Sequence, residues 1–191
     1  GLGYEFATLL AKDAYHLILI DIDSDKLKET KKKLEDKYKT QVITIRKDMS
    51  THNCASELFE EIKETPIDVL INNAGFGLYG HFHNTDWERE ASMLNLHIIS
   101  TTHLTKLILK GMVEKGQGKI LNMSSLAAFQ PGPLMSIYYA SKAYILSFSE
   151  AIANELKGTG VTVTVLCPGQ TKTSFQEVVS QETSENKIGF N

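Results

Sequence analysis

Ser125, Tyr138 and Lys142 are the residues of this sequence whose types and spacing could do chemistry. Tyr138 follows Ser125 by thirteen positions and Lys142 follows Tyr138 by four, in the stretch N-M-S-S-L-A-A-F-Q-P-G-P-L-M-S-I-Y-Y-A-S-K. The i, i+4 spacing puts Tyr and Lys on one face of a helix, with the ammonium near the phenol. An unperturbed phenol has a pKa near ~10. A nearby cation favours the phenolate and makes the group a usable acid or base at neutral pH. Ser125, at the end of an expected strand, can hydrogen-bond the same substrate oxygen. Together the three suit proton transfer to or from an alcohol or carbonyl oxygen. Tyr139 stands three before Lys142, so the spacing picks Tyr138. Ser124 and Ser125 are adjacent and need not point the same way.

The elements that must position these groups alternate along the chain. Helical apolar spacing runs over residues 2–11, 24–38, 54–64, 86–110 and 136–156. Short apolar or β-branched runs lie at 16–21, 41–46, 67–71, 119–123 and 161–166. Such runs read as strands buried on both faces, and their alternation with helices reads as βαβ units. The expected fold is α/β, a doubly wound parallel sheet of the Rossmann type with ligands at the carboxyl ends of its strands. One domain over residues 1–191 is expected, with no internal repeat or linker. The polar stretch after Thr173 reads as a loop or short helix over the site.

Composition narrows the function classes. The chain has 191 residues, 42% apolar and 23% charged, with a formal net charge of -3. That balance argues against a nucleic-acid or anionic-membrane partner. No apolar run approaches the roughly 20 residues of a membrane span. No secretory pattern opens the sequence, and Cys54 and Cys167 show no ligand spacing, so a reducing, cytoplasmic setting is expected. His81 and His83 lack a third ligand nearby and make a weak case for metal, so none is expected. Lys31, Lys32 and Lys33 read as a solvated helix face.

Further candidates each carry a plainer alternative. Gly1-Leu2-Gly3 precedes a helix whose N-terminus could receive a pyrophosphate, although G-x-G alone is weak. Asp21 closes a strand about twenty residues on, where an acid can bond ribose hydroxyls and repel a 2′-phosphate. Its alternative is a turn residue at a strand end. Asp23 reads better as the cap of the next helix. With no Arg or Lys at positions 21 to 24, NAD(H) is favoured over NADP(H). Asp48 can accept from an adenine amino group or can cap a turn. Asn72-Asn73-Ala74-Gly75 can let a ligand approach the backbone or can clasp strand ends. Asn95, in an apolar stretch, reads as a packing hydrogen bond or as part of a proton relay.

In this order and spacing the pieces resemble the short-chain dehydrogenase/reductase family in its common one-domain form. The match runs nearly the whole length: G-L-G, Asp21, Asp48, N-N-A-G, Asn95, Ser125, Tyr138-x-x-x-Lys142, Pro168-Gly169 and Thr173. The resemblance implies that Tyr138 is the catalytic acid/base and that Lys142 lowers its pKa and binds nicotinamide ribose. It implies that Ser125 orients the substrate oxygen and that Asn95 holds a water linking Lys142 to solvent. Leu2 would offer an N–H near the pyrophosphate, with Gly1 and Gly3 in the same turn. Asp48 and Met49 would flank adenine, and Asn73, Ala74 and Gly75 the adenosine ribose. Pro168, Gly169, Thr171 and Thr173 would border the carboxamide. Thr171 departs from the apolar residue usual there. A homodimer or homotetramer through helices 86–110 and 136–156 is implied. The family's first strand and the start of its glycine turn have no counterpart, nor has its last strand. The expectation is a sequence incomplete at both ends, from a protein of roughly 250 residues, with exposed strand edges beside the gap. The implied activity is hydride transfer between a nicotinamide cofactor and a secondary alcohol or carbonyl. A non-catalytic nucleotide sensor on the same fold is the alternative. The segments 76–82 and 127–133, with Tyr139, suggest an apolar substrate.

Overall fold

The computed structural model describes residues 1–169. They form an α/β fold of the Rossmann type, built of parallel sheets and helices. Two compact units are distinguished, Gly1–Met49 and the remainder from Ser50. The candidates Thr171 and Thr173 lie outside the described residues.

The first unit holds helix α1 (Leu2–Lys12), strand β1 (Leu17–Asp21), helix α2 (Ser24–Tyr38) and strand β2 (Val42–Arg46). The strands pair in parallel, Leu17 opposite Val42 through Asp21 opposite Arg46. Ala7 and Ala11, one helical turn apart, pack with Leu17, Leu34 and Val42 into a small core. The Asp23 carboxylate accepts from the N–H groups of Asp25 and Lys26 and so caps α2, as its position suggested. Lys39, in the left-handed conformation at φ 56°, ends the helix.

The second unit holds helix α3 (Cys54–Ile62), strand β3 (Val69–Asn72), helix α4 (Trp87–Leu94), a π-helical turn (Asn95–Ser100) and helix α5 (Thr101–Lys115). Strand β4 (Gly118–Met123), a 3-10 turn (Leu126–Phe129), helix α6 (Ser136–Glu155) and strand β5 (Val161–Leu166) follow. Here β4 is central, paired in parallel with β3 and β5. Polar side chains clasp this sheet. Asn72 Nδ2 donates to Asn122 Oδ1 at 2.8 Å and to Thr105 Oγ1 at 3.0 Å, and Asn122 Nδ2 donates to Ser149 Oγ at 2.9 Å. The clasp reading of N-N-A-G therefore holds for Asn72.

The five described strands form a two-stranded and a three-stranded parallel sheet. Among the described residues β1 pairs only with β2 and β3 only with β4. Buried-strand patterns fix which runs are strands, but not which strands meet. The helix expected over 86–110 is interrupted by the π turn, because a wider turn leaves the apolar spacing nearly unchanged.

Candidate active site

The ladder between β4 and β5 brings the Ser pair to the end of a buried strand, where Ser124 N–H donates to the Leu166 carbonyl. The two serines then diverge. Ser124 is buried, and its hydroxyl donates to the Lys142 carbonyl at 2.7 Å, fixing the strand end to α6. Ser125 has extended backbone, and its Oγ accepts from Ala127 N–H at 3.1 Å, capping the 3-10 turn. The same hydroxyl acts on the Tyr138 phenol, drawing its pKa down.

Helix α6 turns Tyr138, Ser141, Lys142, Ile145 and Ser149 inward, on the i, i+3, i+4, i+7 face that a packed helix buries. The Lys142 ammonium stands 5.7 Å from the Tyr138 ring centroid and donates to the Met123 carbonyl at 2.9 Å. Only 5% of Lys142 is exposed. Burial pulls its pKa down to about 8, against a smaller upward influence of Cys167. The phenol of Tyr138 moves the other way. Burial raises its pKa, the Ser125 hydroxyl lowers it, and Tyr139 adds a further rise. The sequence led us to expect a phenol lowered by Lys142. Instead desolvation of the phenolate prevails in the folded chain. Tyr139 takes another direction. Gly132 lies flat against its ring, so that a Cβ there would come within 2.2 Å of a ring carbon. With Phe129, Pro131 and Ala143, Tyr139 lines a cleft of about 570 Å³ that includes neither Ser125 nor Tyr138.

A third element reaches the same centre. Gly75 approaches so closely that a Cβ would come within 2.8 Å of His97 Nε2 and 3.5 Å of Lys142 Nζ. Phe76 N–H donates to His97 Nε2 at 3.2 Å, and His97 Nδ1 lies 2.8 Å from Ser141 Oγ. His97 is buried in the π turn that Asn95 opens, and this turn packs on α6. Burial, with the charge of Lys142 second, holds its pKa well below the usual value. Sequence reasoning missed His97 and its partner Ser141. The only signal was a histidine inside an apolar run, two residues after Asn95. Asn95 itself is half-buried, and its N–H bonds back to the Ala91 and Ser92 carbonyls. Asn73 is half-buried, and Ala74 and Gly75 are exposed. Pro168 follows β5, its carbonyl accepting from Leu126 N–H, and Gly169 lies beside Leu126.

In the first unit, Gly1 stands at the N-cap of α1 and offers no side chain to the N–H groups of Leu2 and Gly3. Asp21 is exposed, and its carboxylate accepts from Asp23 N–H at 3.0 Å, the turn role that was the plainer alternative. A carboxylate can accept several bonds at once, so this one does not preclude a ligand. Opposite Asp21 on β2 stands Arg46, its Nε donating to the Ile22 carbonyl at 3.2 Å. Strand pairing, not nearness in sequence, brings that cation to Asp21. Asp48 is exposed and Met49 half-buried, just past β2. Among the described residues no group of three or more His, Cys, Asp or Glu could hold a metal ion. His81 and His83 stack on each other at 5.7 Å. No helix of the described residues is long and apolar enough to cross a membrane.

The donor set fits a nicotinamide nucleotide. A buried ammonium next to a phenol can hold ribose hydroxyls. Comparison with known proteins agrees. Residues 1–184 match the family described as short chain dehydrogenase. The ketoacyl reductase HetN of Nostoc sp. is 34% identical over 88% of this chain and 59% of that protein. A short-chain dehydrogenase from Sphingobium yanoikuyae in complex with NADPH superposes with a TM-score of 0.90. It is 28% identical, over 94% of this chain and 71% of that one. A short chain dehydrogenase/reductase from Burkholderia phymatum in complex with NAD gives a TM-score of 0.86 at 26% identity, over 99% and 69% of the two chains. The chain thus spans a little over half the length of the curated relatives it matches.

Proposed function

We propose that this chain, which belongs to the short chain dehydrogenase family, interconverts a secondary alcohol and a carbonyl with a nicotinamide cofactor. The observation that carries the reading is one phenol, Tyr138, under the influence of the Ser125 hydroxyl and with the buried ammonium of Lys142 5.7 Å from its ring centroid. When bound, the nicotinamide supplies or accepts the hydride. In reduction, Tyr138 gives its proton to the substrate oxygen, and Ser125 orients that oxygen. Lys142 holds positive charge where phenolate forms and is the donor for ribose hydroxyls. Asn95 stays the candidate for a water-mediated relay to Lys142. Gly1, Leu2 and Gly3 are assigned to pyrophosphate, Asp48 and Met49 to adenine, and Asn73, Ala74 and Gly75 to the adenosine ribose. Pro168, Gly169, Thr171 and Thr173 are assigned to the carboxamide. The Tyr138→Phe variant tests the core of this reading. Turnover of an accepted ketone is expected to fall by about 10³-fold. Survival within a few-fold would sink the assignment of Tyr138.

The carboxylate of Asp21 favours NAD(H) over NADP(H), because it would repel a 2′-phosphate. Arg46, across the strand pair, is the observation on the other side. Titration with NADH and NADPH, followed by nicotinamide fluorescence, decides between them. Tighter NADPH binding would refute the preference. Phe76, Leu78 and Met135 pack around Tyr138 and Ala127, which supports an apolar ketone such as an acyl or steroid carbonyl. Turnover of only small, charged substrates would overturn that. Exposed Ile99 and Tyr144, on the π turn and α6, support self-association through these helices, which sedimentation at several concentrations checks. The two free cysteines are in keeping with a cytoplasmic protein. A nucleotide sensor remains the second reading, favoured by the raised phenol of Tyr138. Tight cofactor binding with no turnover across a panel of ketones and alcohols would select it.

A further inference from the structure

His97 joins three parts of the candidate site that are far apart in sequence. Its Nε2 accepts from Phe76 N–H at 3.2 Å, which fixes the loop after β3. Its Nδ1 lies 2.8 Å from Ser141 Oγ on α6. Ser141 in turn donates its hydroxyl proton to the Tyr138 carbonyl at 2.7 Å. Its ring meets the Tyr138 ring edge-on, with centroids 6.0 Å apart. The chain of donors determines the tautomer. Phe76 N–H can only donate, so Nε2 must accept. The Ser141 proton is committed to a carbonyl, so the Ser141 oxygen accepts from Nδ1–H. A doubly protonated ring would set two N–H groups against each other at Phe76. It would also place a second cation near Lys142.

The same imidazole limits how near the loop can come. Its Nε2 occupies the space that a Cβ on Gly75 would need, and Lys142 Nζ lies just beyond. Movement of His97 would therefore change the spacing between the loop at Gly75–Phe76 and the pair on α6. On the reading given under Proposed function, that spacing sets a cofactor-side loop against the proton donor. A misplacement of about 1 Å at such a centre can cost about 10²-fold in rate.

We infer that His97 is a positioning residue of the dehydrogenase site, a neutral Nδ1–H imidazole that holds the Gly75–Phe76 loop at a fixed distance from Tyr138 and Lys142. The inference rests on the proposed use of Tyr138 and Lys142, but its structural half can be read without turnover.

The test has two arms, both on the native polypeptide. Imidazole 15N shifts of His97, assigned by loss of the signal in His97→Gln, report tautomer and charge. The Nδ1–H neutral form is expected from about pH 6 to about pH 9. An Nε2–H tautomer, or a ring that titrates within that range, would overturn the inference. In the second arm, His97→Leu is expected to lower kcat by about 10-fold or more and to weaken NAD(P)H binding, with substrate KM within about threefold. His97→Gln, whose amide oxygen can still accept from Phe76 N–H, is expected to recover most of kcat. Leu and Gln variants that lose activity equally would make His97 a packing residue only. A soluble Leu variant with native kcat would also defeat the inference. Should Tyr138→Phe keep native activity while the 15N result stands, the fault would lie in the function proposed, not in the tautomer.

Discussion

Helices α2 and α6 both carry lysines, and treat them in opposite ways. On α2, Lys33 meets Glu29 at 2.5 Å, Lys26 meets Asp23 at 3.1 Å and Lys31 meets Glu35 at 3.7 Å. These are surface pairs at i, i+3 and i, i+4, and the bond that Lys33 donates to Glu29 raises the pKa of Lys33. On α6, Lys142 is buried, its hydrogen bond goes to a backbone carbonyl, and its pKa falls to about 8. Charges on α2 sit where water already solvates them, so they decorate a helix that Leu27 and Leu34 anchor. The charge on α6 sits where solvation is lost, and folding must bear that cost. From pKa 10.5 to about 8 the cost is on the order of 3 kcal/mol. A cation kept at such a cost beside a phenol is more readily explained by chemistry than by stability.

The comparison can be broken or sharpened by substitution. Of the serine substitutions, the larger effect on turnover is expected from Ser125→Ala. It removes the hydroxyl that meets the phenol, and kcat should fall by about 10²-fold. Loss of the cap on the 3-10 turn should cost about 1 kcal/mol in urea unfolding. A Ser124→Ala variant, by contrast, should lose stability with kcat kept within a few-fold, because Ser124 bonds only the backbone at this centre. If the two serines behaved alike, the divergence seen at the strand end would have no functional meaning.

Next in size are the pH effects. Lys142 has a folded pKa near 8 and an unfolded value near 10.5. Between these the unfolded chain binds more protons, so the Lys142 contribution to stability rises with pH from about 8 to about 10.5. Below pH 8 the burial cost is present in full. Unfolding free energies of native protein and Lys142→Met, compared at pH 7 through 10, should converge as pH rises. For His97 the folded pKa lies well below 6.5. Stability is therefore lost as pH falls below 6.5, where the unfolded ring takes up a proton and the folded one does not. His97→Gln should reduce that loss. Smallest of all, Glu29→Gln on α2 should leave the unfolding midpoint almost where it was. A large drop there would undo the contrast between the helices.

Much of this architecture was legible in the sequence, for identifiable reasons. Ser24–Tyr38 and Val161–Leu166 read correctly to the residue, because Asp23 caps one and a β-branched run defines the other. Tyr138 was separable from Tyr139 by its distance to Lys142, since helical geometry converts four residues into one face. What escaped depended on partners distant in sequence. Arg46 stands beside Asp21 only through strand register. His97 reads as an ordinary core histidine until Phe76 N–H and Ser141 are placed on its two nitrogens. The raised phenol of Tyr138 likewise depends on burial, which spacing does not report.

The most direct test of the central claim is Lys142→Met, with stability and turnover measured on the same preparation at pH 7. Methionine fills similar space without the buried charge, although the Met123 carbonyl loses its donor. The account predicts an unfolding free energy within about 1 kcal/mol of native, or higher, and turnover reduced by at least about 10²-fold. A protein markedly less stable, yet with kcat close to native, would show that Lys142 holds the fold together and does not serve the reaction.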